Sequence, residues 1–290
     1  MELDWPIGRG GAVVVEPEDE RFVWRKGTGE DDRFPVASVT KLHTTLAVLA
    51  AVEAGRIRLD DEVPVPAGRL VASRQRDGGG GPVTVRHLLA HAGGLPQQEG
   101  GALREPGERR IYSNSGFRLL ARAVERAVEA PFADWLASSV LRPLRMTGAM
   151  PPARGGASFD PAAGLICSLA ELALLAGCLL DRGAPVVGPA LFAEAVTVQF
   201  PGLAGIVPGV GRYDPCDWGL GFELKDGKRR HWMGERRSAS SFGHFGASGC
   251  FVWVDPAAGV AAAAATDRPF DADRWAMRTW PAWSDQVAAC

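Results

Sequence analysis

Apolar residues follow two rhythms along this chain. Gly-Gly-Ala-Val-Val-Val (10–15) and Arg-Phe-Val-Trp (21–24) are short β-type runs, and Glu-Pro-Glu-Asp-Glu (16–20) is a polar turn between them, so a hairpin is predicted. The period then lengthens. Val39, Leu42, Leu46, Leu49 and Val52 recur at helical spacing and Gly55 supplies a stop, which predicts a helix over about 38–54. Its few polar residues lie mainly in the first two turns, so deep burial is expected. Further helices are predicted at about 84–91, 114–129, 131–141 and 168–181. The last opens on Ser168 with Glu171 three residues on, the spacing of a capping box. From about 205 the short period returns. Residues 218–224, 249–254 and 259–265 read as strands, with Asp255–Gly259 as a hairpin connection, and about 272–288 closes the chain as a helix. Residues 60–82, with a tip at Gly78–Gly81, and the Pro/Gly-rich stretch 151–164 read as loops.

Strands therefore sit at both ends and helices fill the middle. This predicts a mixed α/β (α+β) fold: one antiparallel sheet built from both chain ends, flanked by helices, with a helical insert beside it. One catalytic domain over 1–290 is expected, its α/β part at about 1–60 and 205–290 and its helical part at about 61–204.

Composition narrows the partners. Net charge is −2 over 290 residues, with no basic stripe, which argues against nucleic acid. No apolar run reaches 18 residues, so no membrane span is expected. Met1–Pro6 lacks the basic and apolar regions of a leader, and a cytoplasmic location is the expectation. The five cysteines lack C-x-x-C spacing and are expected to be reduced and mostly buried. Nothing calls for a cofactor or metal, and nothing sets an oligomeric state. Only 4 of the 32 basic residues are lysine, there are 2 tyrosines, and Asn114 is the one asparagine, a bias that suggests a high-GC coding sequence. Motifs built from such scarce residues are hard to attribute to chance.

Three segments carry candidate chemistry. Ser38-Val39-Thr40-Lys41 places a hydroxyl and an amine on one helix face. A serine needs a neighbour to take its proton, and a lysine can do so if burial lowers its pKa. Tyr112-Ser113-Asn114 brings together scarce residue types. A phenol near two cations can lose its proton below its usual pKa and act as a base. Asn114 can hydrogen-bond a substrate amide or the lysine's surroundings, or cap the following helix. Gly243–Gly249, just before a strand, has glycines at 243, 246 and 249 that allow close backbone approach. There the Ala247 N–H can serve as an oxyanion donor beside that of Ser38, and His244 can sense or transfer a proton. His87 and His91 have the spacing of a zinc pair, but the accompanying Glu is missing. A G-x-S-x-G elbow is also absent. Trp218 and Trp232 are candidates to line the cleft.

These segments, with the block Val83–Pro96, resemble the serine β-lactamase and penicillin-binding-protein superfamily, nearest the class C β-lactamase-like hydrolases and esterases. The resemblance spans most of the chain. It implies that Ser38 is the acylated nucleophile, that Lys41 and Tyr112 share the base role, and that Asn114, His244, Phe245, Gly246 and Ala247 bind substrate. The expected partner is a small-molecule ester, amide or lactam. Two departures qualify this. The third box, often Lys-Thr-Gly in the family, is His244-Phe245-Gly246, which lacks the cation and hydroxyl that hold a substrate carboxylate. That weakens β-lactamase activity and favours a less anionic ester or amide. The long helix many relatives have before the first strand is short or missing, so one sheet face is expected to be covered differently. Acyl transfer through the same acyl-enzyme, D-alanyl peptide cleavage, and a non-turnover binder or sensor are the alternatives.

Overall fold

The structure, a computed structural model, describes residues 3–17, 21–66, 81–149 and 159–287. Strand β1 (Gly10–Val15) sends Val13 and Val15 into one core and Ala12 and Val14 into another, the period-two alternation of a sheet covered on both faces. β2 (Arg21–Lys26) pairs antiparallel with it, Val13 opposite Val23, as the expected hairpin. β3 (Arg33–Pro35) leads into a 3-10 turn at Ala37–Val39 and then helix α1 (Thr40–Glu53). Helices α2 (Val85–Leu89), α3 (Asn114–Val128) and α4 (Phe132–Leu136) follow. The predicted helix over 131–141 is α4 continued by a π turn at Ala137–Leu141. β4 (Ile166–Ser168) pairs with β3, and α5 (Leu169–Leu180) and α6 (Pro189–Ala195) precede a small hairpin of β5 (Gly205–Val207) and β6 (Gly211–Tyr213).

The last four strands complete the main sheet. They are β7 (Glu223–Leu224), β8 (Phe242–Gly246), β9 (Cys250–Asp255) and β10 (Val260–Thr266), and the order across the sheet is β2-β1-β10-β9-β8-β7. Every pairing is antiparallel, with Val13 opposite Ala263 and His244 opposite Val252. Both chain ends thus build one sheet, as expected. The strand expected at 218–224 contracts to Glu223–Leu224, and the glycine-rich segment expected to precede a strand forms β8 itself.

The alanine run of β10 has low intrinsic strand preference, yet it is fully buried. Its small side chains let both cores come close. Ala261, Ala263 and Ala265 share a core with Leu172, Leu175 and Leu179 of α5, while Ala262 and Ala264 lie with Trp253 and with Trp275 and Trp280 of the closing helix α7 (Trp275–Val287). Leu3, Trp5 and Ile7 complete that second core, Trp5 lying 5.8 Å from Trp275 and 5.6 Å from Trp283 between ring centroids. The sheet face that carries Ala12, Val14, Ala262 and Ala264 is therefore covered by α7 and the segment Leu3–Ile7.

Two hydroxyls of buried α1 have partners in one neighbouring segment. Thr44 Oγ1 donates to the Pro161 carbonyl at 2.7 Å, and Thr40 Oγ1 accepts from the Leu165 N–H at 3.1 Å. His43, fully enclosed, is lowered to a pKa of about 4 by burial. The capping box of α5 is present: Ser168 Oγ accepts the Glu171 N–H at 3.2 Å, and Glu171 Oε2 accepts the Ser168 N–H at 2.9 Å. Cys167, Cys178, Cys216 and Cys250 are free and buried. Among the described residues no helix is long and apolar enough to cross a membrane. Most of the 60–82 loop, its tip up to Gly80, most of 151–164 and Cys290 lie outside the described residues.

Candidate active site

The site forms where the start of α1 meets the end of β8. Ala37 has φ +44°, a left-handed conformation that costs a non-glycine residue about 1–3 kcal/mol. That turn delivers Ser38 to the N-terminal end of α1, where it lines a cavity of about 180 Å³. Gly246 meets it from the other side. A Cβ there would stand 2.3 Å from the Val36 carbonyl and 3.2 Å from the Ser38 nitrogen, so only glycine lets these backbones touch.

Lys41 lies one turn along and is fully buried. Burial lowers its pKa to about 7, while Asp160 pulls the other way and Arg118 offsets Asp160. Arg118 holds the Asp160 carboxylate at 2.9 Å. The ammonium group donates to Asn114 Oδ1 at 2.6 Å and to the Ala162 carbonyl at 2.9 Å, and Ser38 Oγ is 3.3 Å away. This triad of contacts has a direct chemical consequence. The free amine keeps two N–H donors and one lone pair. Asn114 and Ala162 accept the two donors, which leaves the lone pair for the serine hydroxyl.

Tyr112 lines the same cavity as Ser38. Its ring packs 4.6 Å from His91 and 6.0 Å from Trp218, and Lys41 Nζ is 4.8 Å from the ring centre. Burial pushes the phenol above its usual range, only partly opposed by Ser38. The lowered phenol pKa expected from two nearby cations is therefore corrected. Among the described residues the cation against its ring is Lys41, and that amine is itself held near neutrality. The phenol is 3.4 Å from His244 Nε2, and His244 Nδ1 is 2.7 Å from the Phe245 carbonyl. A carbonyl can only accept, so Nδ1 carries the proton and Nε2 accepts from Tyr112. Burial, reinforced by Lys41, lowers His244 to about 3, so the imidazole is neutral.

The loop carrying Tyr112 is braced from several directions. Ser113 Oγ accepts the Gly116 N–H at 3.0 Å and donates to the Pro96 carbonyl at 2.7 Å, so Ser113, and not Asn114, caps α3. The Ser113 N–H donates to His91 Nδ1 at 3.1 Å, and the Asn114 N–H donates to the Gln97 carbonyl at 2.9 Å. Buried Arg110 ties the same stretch inward through the carbonyls of Ala90, Gln199 and Cys216.

All eight residues singled out from the sequence converge here. Ser38, Tyr112, His244, Phe245 and Ala247 line the cavity, Lys41 and Asn114 stand behind Ser38, and Gly246 abuts its backbone. Trp218 lines the cavity as expected, whereas Trp232 is fully buried behind Phe245. His91 serves the Tyr112 loop, and His87 instead stacks on Phe200 at 4.4 Å. Sequence reading missed Ala162, Glu223, Phe270 and Asp271. Glu223 is the most consequential. Glu223 lines the cavity, and its carboxylate accepts from Trp232 Nε1 at 2.7 Å, with His231 Nε2 at 2.8 Å. Burial pushes its pKa up, but His231 and Lys228 outweigh that and hold it below the usual range. No lysine or arginine lines this cavity among the described residues.

A sheet built from both chain ends, beside a helical insert, is the architecture of the β-lactamase and penicillin-binding-protein class of serine hydrolases. Residues 6–284 match the Beta-lactamase family, and the chain belongs to that family. It is 41% identical to a β-lactamase from Mycobacterium bovis, with a TM-score of 0.84 covering 98% of this chain and 96% of that one. Simvastatin synthase (LovD) from Aspergillus terreus shares the fold at 18% identity, with a TM-score of 0.75 covering 98% of this chain and 95% of that one. Protein flp of Staphylococcus aureus (strain N315) is 26% identical over 172 residues, 47% of this chain, and the chain spans about a third (34%) of that relative's length.

Proposed function

We propose that this protein is a serine hydrolase that forms an acyl-enzyme on Ser38 and cleaves an ester or amide whose acyl group is uncharged. The observation that carries this reading is the environment of Lys41: a buried amine with a pKa of about 7, whose two N–H groups have acceptors and whose lone pair is left for Ser38 Oγ. Lys41 takes the hydroxyl proton as Ser38 attacks the carbonyl carbon. The Ser38 and Ala247 N–H groups hold the developing oxyanion at the close approach that Gly246 permits. Tyr112, a neutral phenol oriented by His244, gives its proton to the leaving group and becomes a phenolate near protonated Lys41. Water then attacks the acyl carbon by the reverse route: its proton goes to the Tyr112 phenolate, and Lys41 returns its proton to Ser38 Oγ as the acyl–oxygen bond breaks. Glu223 and Asp271 line the cavity without a cation to balance an incoming carboxylate, which favours a neutral acyl group and disfavours an anionic β-lactam.

Acyl transfer to an alcohol or amine is a second reading. It is favoured by a further cavity of about 470 Å³ that adjoins Tyr112 and leaves room for an acceptor. A screen of neutral p-nitrophenyl esters, nitrocefin and D-alanyl peptides, each with and without an added alcohol, tests both readings. Turnover of the neutral esters that disappears in Ser38→Ala is expected. Ester turnover surviving in Ser38→Ala contradicts the reading.

A further inference from the structure

The cavity beside Tyr112 has a character of its own. Gln97, Tyr112 and Pro208 line both it and the Ser38 cavity, so the two are adjacent. Its wall is apolar and exposed. Of the three large hydrophobic side chains exposed among the described residues, Leu103 at 43% and Ile206 at 53% both line it. Single exposed apolar residues are ordinary, but two around one cavity adjacent to that of a candidate nucleophile mark a contact surface.

Its charge is opposite to that of the inner cavity. Arg104 and Arg109 line it, and Arg212 stands across the β5–β6 ladder from Ile206. The neighbouring Arg110 points inward onto backbone carbonyls, and by the alternation of an extended chain Arg109 and Ile111 face outward. Arg104 donates to the Leu103 carbonyl at 3.0 Å and makes a long, exposed contact with Glu108 at 3.5 Å, which still leaves guanidinium donors open. Arg109 and Arg212 have no ion pair among the described residues. The cleft therefore runs from a floor without lysine or arginine to a basic, apolar mouth.

We infer that this outer cavity is the subsite for the leaving group or acceptor, and that it takes an apolar body ending in an anion. The side rests on the proposed function, in which Tyr112 protonates the leaving group, because Tyr112 forms the boundary between the two cavities. The chemistry rests on the wall: Leu103, Ile111 and Ile206 bury the apolar part, and the free guanidinium donors of Arg104 and Arg109 bind the anion by charge-assisted hydrogen bonds. The third box lacks its usual cation, so the anion of the substrate is held away from the reacting carbonyl.

The test separates this subsite from catalysis by using Ser38→Ala protein, which binds but cannot be acylated. Calorimetry compares 5-phenylpentanoate with 5-phenylpentanol, which share an apolar body and differ in the charged end. The carboxylate is expected to bind at least about tenfold more tightly, with a preference that weakens as salt rises. Adding Arg104→Glu and Arg109→Glu is expected to abolish or reverse that preference. Equal affinity for the two probes, binding of neither at millimolar concentration, or a preference that survives the charge reversal overturns the inference. Each of those results leaves acylation of Ser38 untouched, and a failure to acylate Ser38 leaves this binding result untouched.

Discussion

Replacing Asn114 with aspartate is the sharpest perturbation of the proposed mechanism. The change is nearly isosteric and puts a carboxylate where an amide oxygen now stands 2.6 Å from Lys41 Nζ. A charge pair at about 4 Å interacts by about 4 kcal/mol at an effective dielectric constant of about 20, or about 3 pKa units at 1.36 kcal/mol each. Asn114 is only partly buried, so about 2 units is the appropriate figure after screening. The Lys41 pKa then moves from about 7 to about 9. The base must be neutral, so the rate rises as pH passes the pKa. At pH 7 the neutral fraction drops from about a half to about 1%, a fall of about 50-fold in kcat/KM. At pH 10 nearly all of the lysine is neutral again, and activity returns. The assay is kcat/KM for p-nitrophenyl butyrate from pH 5 to 10.5, with Ser38→Ala as the blank. An ascending limb displaced by about 2 units is expected. A loss of equal size at every pH would refute the reasoning, because it would mean that Asn114 holds substrate and does not set the proton affinity of Lys41.

Other substitutions separate the remaining parts of the site. Tyr112→Phe keeps the ring packed against His91 but removes the proton donor; kcat should fall by about 10²–10⁴ with the ascending limb still near pH 7 in the rate profile. Gly246→Ala drives a methyl group to 2.3 Å from the Val36 carbonyl, so thermal melts should show a loss of about 1–3 kcal/mol and ester assays a larger loss of activity. Ser168→Ala removes the cap of α5 at a residue that does not line the cavity; a loss of about 1 kcal/mol, read as a Tm lower by roughly 2–4 °C, should leave kcat/KM unchanged.

Much of this architecture is written locally. Ser168 and Glu171 announce the start of α5 because a cap needs only four consecutive residues. The buried face of α1 follows from its apolar spacing, and Lys41, Tyr112 and Asn114 stand out because their residue types are scarce. What escaped the sequence is set by partners distant along the chain. Phe242–Gly246 reads as a loop because Gly243 and Gly246 weaken any strand signal, yet both glycines are demanded by neighbouring backbone: a Cβ on Gly243 would meet the Val252 carbonyl at 2.2 Å. The β3–β4 ladder joins residues 33–35 to 166–168, a pairing too short to give either segment a pattern. Ala162 contributes through its carbonyl, which any residue carries, so no side-chain motif could reveal it. The misjudged Tyr112 has a similar origin. Charge can be guessed from a motif, but the burial that dominates its pKa appears only once His91, Trp218 and His244 close around the ring.

The central claim is that Ser38 is acylated because Lys41 takes its proton. Intact-mass spectrometry after exposure to a fluorophosphonate, or to a p-nitrophenyl ester quenched in acid, tests it most directly. The account predicts a single adduct on the wild type, mapped to the peptide that carries Ser38, absent from Ser38→Ala, and formed faster as pH rises through about 7. An adduct that persists in Ser38→Ala, or a wild-type protein that no acylating reagent modifies, would contradict it.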